Sequence, residues 1–122
     1  QVAIAQVVAD FQAALPTATI HVYDNNSTDG TALAAAAAGA RTGHESLQGK
    51  GHVVRRMFAD IEADLYVLVD GDGTYDAADA PAMARLLVAG QLDMVNARRC
   101  YGACVKQGKT GPRLECQKML RF

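Results

Sequence analysis

The chain has 122 residues, half of them hydrophobic but only 6% aromatic and none tryptophan, with a formal net charge of −1. That length accommodates one modest domain with a buried core and is short for an enzyme that holds two substrates. No apolar run approaches the roughly 20 residues needed to span a bilayer. No basic-then-apolar leader opens at Gln1, and the charge balance marks no nucleic-acid partner, so the expected compartment is the cytosol.

The small net charge hides an asymmetry. Residues 1–97 carry five basic and twelve acidic side chains, a balance of −7, whereas residues 98–122 carry seven basic and one acidic, a balance of +6. Cys100, Cys104 and Cys116, the chain's three cysteines, all lie in the second stretch. Their number and spacing suit neither a disulfide framework nor a zinc site, and they read as reduced thiols. Composition therefore divides the chain into residues 1–99 and an atypical basic tail, 100–122.

Ile4, Val7, Val8, Phe11 and Leu15 recur at helical spacing, which predicts an amphipathic helix over 2–15 that Pro16 ends. Thr19–Tyr23 is β-branched and aromatic and predicts a short strand. The turn DNNSTDG follows, with Ser27, Thr28 and Asp29 as candidate caps for a helix Thr31–Ala38 that Gly39 stops. Residues 41–44 fit a brief edge strand. From Gly51, the residues Val53, Val54, Met57, Phe58 and Ile61 mark a second long helix. Leu65–Val69 is apolar on both faces, the pattern of a strand buried between helix layers. Asp79 and Pro81 start a further helix with Met83, Leu86 and Leu87 inward and Gly90 at its end. Leu92–Ala97 predicts a last strand. Strands alternating with helices imply an α/β fold with a mostly parallel sheet.

In such sheets ligands sit beyond the carboxyl ends of the strands. Two polar clusters, Asp24–Gly30 and Asp70–Asp76, directly follow predicted strands and so open on the same sheet edge. In the second cluster Asp70 and Asp72 flank Gly71. Alternate residues of an extended segment point the same way, so both carboxylates can face one cation. Hard oxygen ligands suit Mg²⁺ or Mn²⁺, which use one or two carboxylates together with substrate phosphates. Gly71 and Gly73 leave room for a phosphate to approach the backbone; a polar turn that merely ends a strand is the plainer alternative. In the first cluster, Asp24 and Asn25 can hydrogen-bond a base or ribose, and the helix start beyond them favours anions. Gly49-Lys50-Gly51 precedes a helix and offers one lysine to a diphosphate, without the spacing of a P-loop. His44 and His52 receive no role.

Taken together, DNNSTDGT at 24–31, GKG at 49–51 and VDGDGTYDAADAP at 69–81 resemble the GT-A glycosyltransferases of family 2, particularly the branch of dolichol-phosphate mannosyl- and glucosyltransferases. DMVNARR at 93–99 is a looser match. The resemblance covers residues 1–99 and implies a Rossmann-like three-layer sandwich. It implies that Asp72 is the catalytic residue and principal metal ligand, and that Asp70 supports the metal shell or the nucleotide. It also implies that Asp24 and Asn25 contact the base, that Lys50 and Gly71 lie at the diphosphate, and that Arg99 ends a substrate-binding segment. The donor implied is a nucleotide-diphospho-sugar, and the acceptor a group such as a polyprenyl phosphate at the inner face of a membrane. The family's second Asp is replaced by Asn25, and Asn96-Ala97-Arg98 departs from its Gly-Ser-Arg-like segment. Its first strand, central between Thr19–Tyr23 and Leu65–Val69, has no counterpart in these residues, leaving a gap of roughly 10 Å. The tail matches nothing in the family's pattern and reads as foreign or frame-shifted sequence from about Cys100.

A haloacid-dehalogenase-type phosphatase is the enzyme alternative, since Val69-Asp70-Gly71-Asp72-Gly73-Thr74 satisfies its first motif, with Asp70 as nucleophile and Asp72 as acid/base. That motif normally opens its domain, whereas two α/β units precede it here. A non-catalytic nucleotide-binding fragment is the alternative outside enzymes.

Overall fold

A computed structural model describes residues 2–98 and 113–117, which belong to two compact units, Gln1–Ala78 and Asp79–Phe122. The first unit runs α1 (Val2–Ala14), β1 (His21–Asp24), α2 (Thr31–Ala37), β2 (Arg41–His44) and α3 (Lys50–Asp60). β1 and β2 pair in parallel, from His21 opposite Arg41 to Asp24 opposite His44. A parallel pair requires a crossover, and α2 supplies it.

The core of this unit follows from residue spacing. Ile4, Val8 and Phe11 are buried on one face of α1, the stripe that a 3.6-residue period produces. Ile4 and Val8 meet Ala35 and Ala40, with Ile20, Val22, Ala34 and Ala38 packed around them. Ala35 is fully buried; alanine at these positions lets α2 approach α1 and β1 closely. Gly39 ends α2 in the left-handed region at φ 93°. Its N–H donates to the Ala36 carbonyl and that of Ala40 to the Ala35 carbonyl, a pairing that satisfies the last turn and that glycine accommodates without strain. At the other end the N-cap is Gly30 rather than one of the expected side-chain caps. Asp29 instead accepts hydrogen bonds from the N–H and hydroxyl of Thr31, and those two bonds hold its carboxyl below the ordinary value.

Two contacts fasten the neighbouring elements. Gly43 stands opposite Tyr23 in the ladder, and a Cβ built there would lie 2.5 Å from the tyrosine ring. Glycine thus gives the ring its place on the strand. The Tyr23 hydroxyl donates to Asp60 Oδ2 at 2.9 Å, and Arg56 Nε donates to the same oxygen at 2.7 Å. Arg56 first and then Tyr23 hold the Asp60 carboxyl below its ordinary value, and the triad ties the end of α3 to β1.

One strand expectation requires correction. Leu65–Val69 has no strand partner among the described residues. Tyr66, Val67, Leu68 and Val69 are 38–51% exposed rather than buried. The physical cause is local. A strand exists through its ladder, and no neighbouring strand meets this segment among those residues. Its start is drawn back onto the end of α3, where the Tyr66 hydroxyl donates to the Ile61 carbonyl at 2.8 Å and accepts from the Ala63 N–H at 3.0 Å. The Tyr66 ring also meets Phe58 edge-on at 4.9 Å.

A 3₁₀ turn, Ala77–Asp79, spans the boundary of the units and leads into α4 (Ala80–Ala89) of the second, in which β3 (Met94–Arg98) pairs with β4 (Arg113–Gln117). Pro81 lies in the first turn of α4, and Gly90 caps its end by donating to the Leu86 carbonyl. The expected strand Leu92–Ala97 is thus present, shifted by two residues at its start. Its ladder is antiparallel, so the sheet content is one parallel and one antiparallel pair among the described residues. The architecture is a small α/β fold with parallel strands in its first unit. No helix among the described residues is long and apolar enough to cross a membrane.

Candidate functional site

The described site residues all belong to the first unit, at the carboxyl edge of β1 and β2. Parallel register sets the last residues of both strands side by side, Asp24 opposite His44, so the loops that leave them run together. Asp24 turns its carboxylate into its own loop and accepts from the Ser27 N–H at 3.2 Å with each oxygen. His44 Nδ1 stands 3.6 Å from Asp24 Oδ2, and the Asp24 side chain is only 12% exposed. Asp24 therefore shapes the turn that leaves β1.

Asn25 grips the second loop. Its amide nitrogen donates to the carbonyls of Glu45 and Leu47 at 2.7 and 2.8 Å, and its Oδ1 accepts from the Gly49 N–H at 2.8 Å. Reversing the amide would set donor against donor at Gly49, so the network fixes its orientation. Asn26, in the left-handed region at φ 67°, adds a bond from its amide nitrogen to the Ser46 carbonyl. Residues 45–49 are thereby held against the end of β1. Gly49, at φ 127°, is the N-cap of α3, and Lys50 is that helix's first residue.

Lys50 reaches the other cluster. Its ammonium pairs with Asp70 Oδ1. The hydrogen bond that Lys50 donates to Asp70 is the main cause that raises the Lys50 pKa, and the charges of Asp70, Tyr75 and Asp72 act in the same direction. Asp72 Oδ1 accepts from the N–H and hydroxyl of Thr74 at 3.0 and 2.7 Å, closing a short turn around Gly73, which adopts φ 75°. A Cβ at Gly71 would lie 2.8 Å from Ile4 Cδ1. Glycine here lets the backbone between the two carboxylates rest on the buried face of α1.

Thus Asp24, Asn25, Lys50, Asp70, Gly71 and Asp72 form one linked series along a single edge. Arg99 lies outside the described residues. No group of three His, Cys, Asp or Glu side chains that could hold a metal occurs among those residues. The donor set of this edge is instead two carboxylates, and it fits a hard cation completed by the phosphates of a ligand. It does not fit an all-protein cage.

Sequence reasoning assigned no individual role to His44, Thr74 or Tyr75. His44 was detectable in principle from the alignment of two short strands that end together. Thr74, two residues after an aspartate in a glycine turn, carries the signature of a side-chain-to-backbone turn. Nothing local marks Tyr75.

Known proteins similar to this chain include glycosyltransferases. Protein RfbJ of Shigella flexneri is 58% identical over 95 residues, 78% of this chain and 74% of that protein. Glycosyltransferase AglJ of Haloferax volcanii is 36% identical over 115 residues, 91% of this chain and 38% of that protein. An uncharacterized glycosyltransferase of Mycobacterium bovis is 38% identical over 78 residues, 64% of this chain and 35% of that protein. The chain is homologous to glycosyltransferases. It spans little more than a third of the length of the two relatives that carry that name. No family model and no solved structure matches it significantly. None of these three relatives is named a phosphatase, and the phosphatase alternative gains no support from them.

Proposed function

We propose that this chain is part of a glycosyltransferase that takes a sugar from a nucleotide-diphospho-sugar and transfers it with inversion. We further propose that it does so on a GT-A fold of family 2, closest to the branch that uses polyprenyl-phosphate acceptors. The observation that carries this reading is the linked edge of Asp24, Asn25, Lys50, Asp70, Gly71 and Asp72, in which Lys50 pairs with Asp70 and Asn25 holds the residue before Lys50.

Asp72 is the principal ligand of a Mg²⁺ or Mn²⁺ ion, with Asp70 in support. When bound, that ion supplies Lewis-acid neutralisation of the charge that develops on the departing diphosphate. Lys50 sets a second positive charge beside the same phosphates, and Gly71 keeps the backbone between the carboxylates clear of a side chain. Asn25 holds the 45–49 loop and so positions Lys50, while Asp24 and the backbone of its turn face the nucleoside end. Arg99 completes the donor-binding segment. The acceptor oxygen attacks the anomeric carbon opposite the leaving group, which inverts the configuration. A phosphate acceptor is already anionic and needs no general base. Such an acceptor would draw the enzyme from the cytoplasm to the inner face of a membrane.

Lys50→Ala should weaken a nucleoside diphosphate roughly tenfold and the matching nucleoside hardly at all, because an ammonium acts as a point charge on phosphate and reads no base. Calorimetry of the full-length protein with both ligands measures this, and equal losses for the two would refute the assignment.

A further inference from the structure

The contact between Lys50 and Asp70 sets two expected ligand-binding groups against each other. Lys50 is the residue meant for a diphosphate, yet its ammonium lies on Asp70 Oδ1, an oxygen meant for the cation. Asp72 is not equivalent to Asp70, since its Oδ1 is engaged by Thr74. The lysine side chain is 74% exposed and that of Asp70 38%, so the pair faces solvent and both partners can change hands. Asn25 bonds the N–H of Gly49, the residue before Lys50, which keeps the lysine stem over this edge whichever partner it takes.

We propose that Lys50 serves as a tethered counter-cation for Asp70, exchanged for the divalent ion when a diphosphate arrives. This inference rests on the donor-site reading above. Paired with Asp70, Lys50 neutralises that carboxylate and competes with any free divalent ion for it. An incoming diphosphate draws the ammonium to itself and frees Asp70, so diphosphate and metal bind as a coupled pair. The device disfavours a metal held without nucleotide and gives Lys50 one role in each state. No covalent step is involved; the exchange moves one side chain between two anions.

The test is Mn²⁺ alone, titrated into the full-length protein and followed by the loss of the free-ion electron paramagnetic resonance signal. Lys50→Ala should bind Mn²⁺ roughly two- to fivefold more tightly than wild type, the range that a solvent-exposed ion pair supports. In an Asp70→Asn background the same substitution should give a clearly smaller gain, because the oxygen contested by the lysine has lost its charge. Lys50→Arg, which keeps the positive charge, should stay close to wild type. Unchanged or weaker Mn²⁺ binding in Lys50→Ala would overturn the exchange, as would an equal gain in both backgrounds. If Mn²⁺ binding in these titrations depends on Asp72 but not on Lys50, the donor-site reading stands and only the exchange falls. If the protein binds neither Mn²⁺ nor a nucleoside diphosphate, both fall together.

Discussion

Asp72→Ala should abolish the divalent-ion-dependent part of the stabilisation that a nucleoside diphosphate gives the protein. A ligand at one hundred times its dissociation constant stabilises the folded state by about 2.7 kcal/mol, and most of that increment should vanish while any metal-independent part survives. Asp72 also closes the turn at Thr74 through Oδ1, so alanine would loosen the loop as well as remove a ligand. Asp72→Asn separates the two effects. Its amide oxygen still accepts the Thr74 bonds, and its unliganded melting temperature should match wild type, whereas its metal-dependent increment should be lost. Asp70→Asn should be the milder change, since Asp70 supports the ion and Asp72 is its main ligand. Thermal denaturation with and without Mn²⁺ reads all three variants. An intact metal-dependent increment in both Asp72 variants would remove the carboxylate pair from the account.

The 122-residue chain alone should melt broadly and in a concentration-dependent manner. Tyr66, Val67, Leu68 and Val69 stand 38–51% exposed in one run. Fully burying a side chain of this size contributes about 1.5–3 kcal/mol, so leaving four half exposed forgoes roughly 3–6 kcal/mol. Domain stability is only about 5–15 kcal/mol, which makes that shortfall decisive rather than incremental. An apolar segment without a ladder is also a template for edge-to-edge association. Val67→Lys or Leu68→Lys should therefore reduce self-association in sedimentation velocity by at least severalfold, with little loss of helix signal. A sharp, reversible, two-state transition of the chain as a monomer would contradict this prediction.

The first unit was readable where a single element carries its own signal. Ile4, Val8 and Phe11 announce the buried face of α1, and Gly39 announces the end of α2 because the left-handed turn suits glycine. The clusters at Asp24 and Asp70 were readable as loops, since Asp, Asn and Gly concentrate there for reasons of turn chemistry. Their linkage was not. Asn25 finds the carbonyls of Glu45 and Leu47 only because the parallel register sets Asp24 opposite His44, and register is a property of two strands at once. The pairing of Lys50 with Asp70 depends in turn on that loop.

Leu65–Val69 shows the converse limit. Its apolar pattern states what the segment would bury, but pattern alone says nothing about whether a neighbour is there to receive it. The orientation of β3 was hidden for a related reason: alternation is the same in parallel and antiparallel strands. Only β4, which follows a long basic stretch without periodicity, decides between them.

The claim that this edge is the donor site of a sugar transferase is tested most directly by incubating the full-length protein with nucleotide-diphospho-sugars and Mn²⁺, and assaying release of the nucleoside diphosphate. The account predicts release that depends on the divalent ion and on Asp72, with no phosphate liberated from a generic aryl phosphate under the same conditions. Hydrolysis of the aryl phosphate that depends on Asp70, with every nucleotide-sugar left intact, would contradict it.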